Sequence, residues 1–168
     1  WGVKPLCVGL GGVFAFDLRG HGESDAPADG YSMAALAADV AWLIAELELE
    51  RPVVIGHSMG GVVAFELAYL DPDLPAAIVM IDSPVARPAA SRAAMPAFLE
   101  KLEGPGYREA IAAYVEEALF LPTDDGDRWE AIVERMVATG RHVIVAAFAG
   151  MRDFDPDAAR GPIAAPSL

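Results

Sequence analysis

The sequence predicts an α/β fold, a mostly parallel sheet flanked by helices, with a helical insertion late in the chain. Two observations carry that prediction. Short apolar runs rich in Val and Ile alternate with segments whose apolar residues recur at helical spacing, which is how strands joined by helical crossovers read. From Pro88 onward the strand-like runs stop, and four helical segments follow one another between Gly and Pro signals.

At the amino end, Pro5–Leu10 and Val13–Leu18 are apolar runs separated by Gly11-Gly12. Gly-Gly between such runs is a hairpin signal, and a parallel crossover needs about a dozen residues or more. Either the two runs pair antiparallel, or a segment has been lost between them. Ser32 then reads as an N-cap, and Leu36, Val40, Leu43, Ile44 and Leu47 predict a helix from about Met33 to Leu47. Pro52-Val53-Val54-Ile55 follows as a strand, apolar throughout and so expected to be buried on both faces. A helix from about Gly60 to Leu70 carries Val63, Leu67 and Leu70 on one stripe and ends at Asp71-Pro72. Ala76–Ile81 is the next strand, ending in Asp82-Ser83-Pro84. Parallel strands would gather Arg19-Gly20-His21-Gly22, Ser58 and Asp82 on one rim of the sheet, where open α/β sheets bind ligands. Helical runs near Ser91–Leu102, Tyr107–Leu119, Asp127–Thr139 and Arg141–Arg152 complete the insertion, and Ile163–Leu168 opens a further strand. The organisation expected is a core part over 1–86, a helical part over 87–160 and a returning strand over 161–168.

The chemistry concentrates in Gly56-His57-Ser58-Met59-Gly60, between the strand Pro52–Ile55 and the helix that follows it. A Gly-x-Ser-x-Gly match in that setting reads as a nucleophile elbow. A strand reversing sharply into a helix strains its turn residue, at a cost of about 1–3 kcal/mol for a residue other than glycine. Gly56 and Gly60 are expected where a Cβ would collide across the turn, and Gly61 where the helix approaches the sheet closely. The helix dipole favours negative charge at Ser58, so the Met59 N–H is the natural oxyanion donor.

Composition narrows the partners. With 12 Lys+Arg against 25 Asp+Glu, for a net charge of -13, the chain repels nucleic acid and anionic membrane surfaces. Its 168 residues, 54% hydrophobic, suffice for one core, and no apolar stretch approaches transmembrane length. The single cysteine, Cys7, excludes an internal disulfide and reads as a buried small hydrophobe, so a cytoplasmic location is expected. No metal-ligand cluster or phosphate-cradling Gly-Lys motif is present, so no metal or nucleotide cofactor is implied. A small-molecule substrate is the expected partner.

The run Phe16-Asp17-Leu18-Arg19-Gly20-His21-Gly22-Glu23-Ser24-Asp25, followed after a helix by Gly56-His57-Ser58-Met59-Gly60-Gly61, closely resembles the α/β-hydrolase superfamily. The branch it resembles includes esterases, lactonases, carbon–carbon bond hydrolases and cofactor-free haloperoxidases, and the resemblance is strong over about Val13 to Ser83. It implies a serine hydrolase acting on an ester, lactone or related acyl compound, with Ser58 as nucleophile and Met59 N–H holding the oxyanion. It also implies that residues 87–160 form a cap over the site. Candidate pocket residues are then His57, Phe98, Phe120, Trp129, Met136, Phe148 and Met151, against the ordinary reading that apolar residues at helical spacing pack helices together. Leu10 N–H is the candidate second oxyanion donor, although Val8 stands where the family places a histidine.

In this family the acid follows the strand after the cap and the histidine comes later still, so both expected positions lie beyond Leu168 and the chain reads as truncated. Weak activity, or none, is expected of it alone. Of the histidines present, His57 occupies a position that packs in the family, His21 holds its loop, and His142 reads as a solvated helix-end residue. Asp82 is an alternative acid, because some members place theirs after the same strand; its ordinary reading is an Asx-type turn with Ser83-Pro84. The alternatives in chemistry are carbon–carbon bond hydrolysis or cofactor-free perhydrolysis, and the alternative in class is a non-catalytic ligand binder.

Overall fold

The structure, a computed structural model, describes residues 3–8, 11–157 and 163–168, with the backbone alone for 3–8 and 11. It divides into two compact units, one of Trp1–Asp29 with Ala93–Phe148, the other of Gly30–Arg92 with Ala149–Leu168.

In the first unit β1 (Val3–Val8) and β2 (Gly11–Phe16) pair antiparallel, with Val3 opposite Phe16 and Val8 opposite Gly11. Of the two arrangements open to these runs, the antiparallel one is found. Gly11 and Gly12 do not form its turn, however: they lie within β2 opposite Val8 and Cys7, and the connecting residues 9 and 10 are outside the described ones. The Cys7 side chain also lies outside them.

Helices α3 (Ala89–Glu103), α4 (Tyr107–Leu119), α5 (Gly126–Ala138) and α6 (Arg141–Asp153) form where the helical spacing predicts them. Asp125 caps α5 by accepting a bond from Asp127 N–H at 3.0 Å. Leu99, Leu102, Ile111, Val115, Val133 and Val143 are buried, one stripe from each helix. The Tyr107 hydroxyl donates to the carbonyls of Met136 and Thr139 at 3.5 and 3.4 Å, and Arg141 stacks over its ring at 5.2 Å. These contacts fasten the start of α4 to the end of α5 and the start of α6.

The second unit holds α1 (Met33–Glu46), β3 (Val53–His57), α2 (Met59–Leu70) and β4 (Ala77–Ile81). Ser32 caps α1, accepting from Ala35 N–H at 3.2 Å, and Leu36, Val40, Leu43 and Ile44 are buried below it. The strands β3 and β4 pair in parallel, Val53 opposite Ala77 and His57 opposite Ile81. Parallel to β4, Ser167 forms a bridge with Ile78, and Met80 N–H donates to the Leu168 carbonyl at 2.7 Å.

Two expectations fail in this unit. Leu70 is 53% exposed, and the buried set of α2 wraps well beyond one stripe, with Val62, Val63, Ala64, Glu66, Leu67 and Ala68 all buried. The physical reason is that α2 has neighbours on two sides, α1 on one and the sheet of β3 and β4 on the other. The strand β3 is not buried on both faces either: Val54 packs toward Ala64, Ala68 and Ile78, whereas Val53 and Ile55 are 55% and 64% exposed. Helix α2 covers only one side of the pleat. Each fully buried Leu or Ile, such as Leu36, Leu67 and Ile78, contributes about 1.5–3 kcal/mol of transfer free energy. Among the described residues, no helix is long and apolar enough to cross a membrane.

Candidate active site

The strand β3 ends at His57 and α2 begins at Met59, so Ser58 alone makes the reversal. Its φ of 51° and ψ of -120° are those of the first central position of a type II′ turn, which glycine normally occupies. A serine there costs about 1–3 kcal/mol. Hydrogen bonds on both sides hold it. Ser58 N–H donates to the Ile81 carbonyl of β4 at 3.0 Å, and the Ser58 carbonyl accepts from Gly61 and Val62 at 3.0 and 3.3 Å. The side chain, half-buried, makes no capping bond to the helix, so the hydroxyl is not spent on the α2 terminus. At the first helical position the Met59 N–H has no intrahelical acceptor, and it sits at the positive end of the α2 dipole.

The three glycines of the elbow differ in what they do. A Cβ on Gly56 would overlap the carbonyl carbon and oxygen of Gly60, so β3 and the first turn of α2 approach to backbone contact. On Gly61 it would overlap the Ser83 hydroxyl, which fixes how closely α2 meets the loop after β4. On Gly60 it would meet nothing within 4 Å, and Gly60 has no positive φ. The collision expected at Gly60 is therefore absent, because the turn closes through Gly60's backbone and not through the space beside its Cα.

Asp82 follows β4 as Ser58 follows β3, and the pairing of His57 with Ile81 sets the two at matching positions on the carboxyl edge of the sheet. Asp82 also has a positive φ, 44°. No Asx-type turn forms: the residue whose N–H would close it is Pro84, which has none. The Ser83 hydroxyl instead donates to the Ile81 carbonyl at 3.1 Å, and Val85 N–H donates to the Ser83 carbonyl at 2.9 Å. The Asp82 carboxylate is exposed and accepts no hydrogen bond among the described residues. His57, ending β3, is exposed on the same edge.

The other unit contains the Asp17–Asp25 loop. There Asp17 accepts from Glu23 N–H at 3.1 Å through its carboxylate and from the Ser24 hydroxyl at 2.7 Å through its carbonyl. Gly22, at φ +54°, is required because a Cβ would fall on that carboxylate. His21 Nδ1 lies 3.0 Å from the Arg19 carbonyl, to which the imidazole donates, while its backbone N–H donates to Leu18. His142 is exposed in the first turn of α6.

Of the candidate lining residues, Phe98 and Phe148 meet each other at 5.0 Å and Tyr114 at 5.4 and 5.3 Å, a ring cluster inside the helical unit. Phe120 is half-buried at the C-cap of α4, and Met136 is half-buried near the end of α5. Trp129 is half-buried too, its indole Nε1 enclosed without a hydrogen-bond partner among the described residues. Met151 lies with the end of α6 in the unit of Ser58. Leu10 falls outside the described residues. No cluster of three His, Cys, Asp or Glu side chains among the described residues is placed to hold a metal ion.

One residue escaped the sequence reading. Arg87, on the loop after β4, donates through Nη2 to the carbonyls of Met151 and Arg152, while Nη1 is buried and has no partner among the described residues. Burial, and then Arg92 beside it, pushes the guanidinium pKa down. An arginine between short loop residues carries no periodicity that would single it out.

A family model described as alpha/beta hydrolase fold matches residues 12–124. A putative carbamate hydrolase of Variovorax paradoxus is 32% identical over 162 residues, covering 93% of this chain and 60% of that protein. An uncharacterised protein of Mycobacterium tuberculosis is 42% identical over 71 residues, covering 42% of this chain and 21% of its own length. Among solved structures, an esterase from Exiguobacterium antarcticum superposes with a TM-score of 0.76 at 22% identity, covering 86% of this chain and 57% of the esterase, a likeness of fold alone. The matched stretches thus cover from about a fifth to three fifths of the length of these proteins.

Proposed function

Because the chain belongs to the alpha/beta hydrolase fold family, we propose that it is the nucleophile-bearing part of a serine hydrolase acting on an ester, lactone or related acyl compound. The observation that carries this reading is Ser58, strained at φ 51° and ψ -120° with a hydroxyl that does not cap the helix it precedes. Backbone strain of this kind is retained where function requires it.

In the mechanism that follows, Ser58 Oγ attacks the acyl carbonyl carbon as its proton passes to a base. The C–O bond to serine forms while the carbonyl π electrons move onto oxygen. Met59 N–H, turned toward that oxygen, stabilises the charge, a role worth about 3–4 kcal/mol for one oxyanion donor elsewhere. Collapse expels the alcohol, and water then releases the acid from the acyl-serine.

None of the chain's histidines presents itself as the base. His21 directs Nδ1 to its own loop, and His57 and His142 are exposed. A serine without its base loses up to about a million-fold in turnover. We therefore expect the 168-residue chain to react slowly, and to react faster when imidazole is supplied in solution. Labelling with a fluorophosphonate probe tests this: slow labelling, accelerated by imidazole and abolished in Ser58→Ala, is expected. Labelling that survives Ser58→Ala removes the nucleophile assignment. Its absence from the wild type with and without imidazole favours a non-catalytic ligand binder.

A second role concerns Asp82. Its positive φ and unspent carboxylate, at the position matching Ser58, favour it as the acid that orients the base. Asp82→Asn should then lower the imidazole-assisted labelling rate about tenfold or more while leaving the unassisted rate unchanged.

A further inference from the structure

We infer that Arg87 is an anion-recognition residue, and that the acyl substrate carries a carboxylate which it binds. The substrate part of this rests on reading Ser58 as the nucleophile.

Arg87 lies on the loop that leaves the carboxyl end of β4, in the same unit as Ser58. Parallel pairing sends the loops after β3 and β4 to one edge of the sheet, and Ser83, on the Arg87 loop, packs directly against Gly61 in the first turn of α2. On its other side the guanidinium fastens the end of α6, Nη2 donating to the carbonyls of Met151 and Arg152. Phe154, just past α6, meets Phe65 of α2 edge-on at 6.0 Å. Phe65 is six residues beyond Met59, about 9 Å along the helix axis. The guanidinium is thus anchored from two directions to elements that pack on the elbow helix.

What remains is the other nitrogen. Nη1 is buried and unpartnered among the described residues. The carbonyls that Nη2 meets accept hydrogen bonds but neutralise no charge, and the neighbouring charge that acts on the group is Arg92, of the same sign. Arg87 is half-buried, with Nη1 closed off, and it has no carboxylate partner among the described residues. Buried polar groups are ordinarily satisfied, so an orphan donor on the loop that leaves β4 marks a place for an acceptor. A carboxylate supplies both the acceptor and the counter-charge, in a plane that matches the guanidinium. Half-esters of short dicarboxylic acids have the required chemistry.

The test is equilibrium binding of succinate to the full chain, with succinamide as the neutral probe of the same shape, by isothermal titration. Wild type should bind succinate and not succinamide. Arg87→Gln should lose roughly tenfold to a hundredfold in succinate affinity, with Arg87→Lys between them. Calorimetric melting of each variant separates this from damage to the α6 end, and the wild-type comparison of the two probes requires no variant. Equal affinity for the two probes, no succinate binding by the wild type, or undiminished binding in a folded Arg87→Gln overturns the inference. Arg87-dependent binding in a chain whose Ser58 is never labelled would leave the anion site standing and remove the hydrolase reading.

Discussion

Replacing Gly56 with alanine places a Cβ onto the carbonyl group of Gly60 and close to the Gly61 nitrogen. All of these are backbone atoms, so no side chain can swing aside. Either β3 withdraws from the first turn of α2, or that turn unwinds. Overpacking of this kind costs about 1–3 kcal/mol, and the absence of a flexible neighbour puts Gly56→Ala at the upper end. For a chain of this size each kcal/mol lowers Tm by roughly 2–4 °C, so a fall of roughly 6–12 °C is expected. Displacing Ser58 by about an ångström also costs about a hundredfold in reactivity. Gly60→Ala is the control: its Cβ meets nothing within 4 Å and the backbone there needs no positive φ. That variant should melt at or slightly above the wild-type temperature, because alanine is the better helix former by about 1 kcal/mol. Differential scanning calorimetry with imidazole-assisted fluorophosphonate labelling reads both quantities. Equal Tm values for the two variants would refute the reasoning, since the close approach is specific to Gly56.

Three further outcomes follow from local structure. Ser58→Gly should raise stability by roughly 1 kcal/mol, because glycine adopts φ 51° without the strain that serine bears, while abolishing labelling; a loss of stability would remove strain as the mark of the site. Ser32→Ala removes the N-cap of α1 and should cost about 1 kcal/mol, or roughly 2–4 °C, by thermal circular dichroism, whereas Ser32→Asp should not. Burial raises the Tyr107 pKa against the opposing pull of Arg141, so the folded state holds that proton more tightly than the unfolded chain. The stability it contributes is complete below the ordinary value of about 10 and is lost as pH rises past it, so Tyr107→Phe should flatten the alkaline limb of a Tm–pH profile.

The elements that were legible in the sequence are those specified by local chemistry. The bounds of α4 and the N-cap of α1 follow from a glycine, a serine and helical spacing, all within a few residues. What was not legible depends on neighbours. Val53 and Ile55 carry the β-branched character of a strand enclosed on both sides, but which face has a partner is decided by α2, whose approach is set by Gly56 and Gly61. Helix α2 is apolar on most sides, the mark of a helix with more than one neighbour, although Val63, Leu67 and Leu70 alone suggest a single stripe. At the amino end the Gly-Gly pair looked like a turn because glycine permits one; the antiparallel register instead puts both residues in the strand.

The site divides along the same line. Ser58 was readable because the elbow writes its strain into flanking glycines, whereas Asp82 has a positive φ with no glycine beside it. Its one sequence signal was negative: a proline two residues on removes the N–H that an Asx turn requires, so the carboxylate could not be satisfied locally. Arg87 had no such signal, because an orphan donor exists only once the end of α6 has taken one nitrogen and the fold has buried the other. Three groups without a hydrogen-bond partner among the described residues, a hydroxyl, a carboxylate and a guanidinium nitrogen, therefore belong to the segments that follow β3 and β4. That all three occur on the edge where parallel sheets receive ligands is the physical case for a substrate site there.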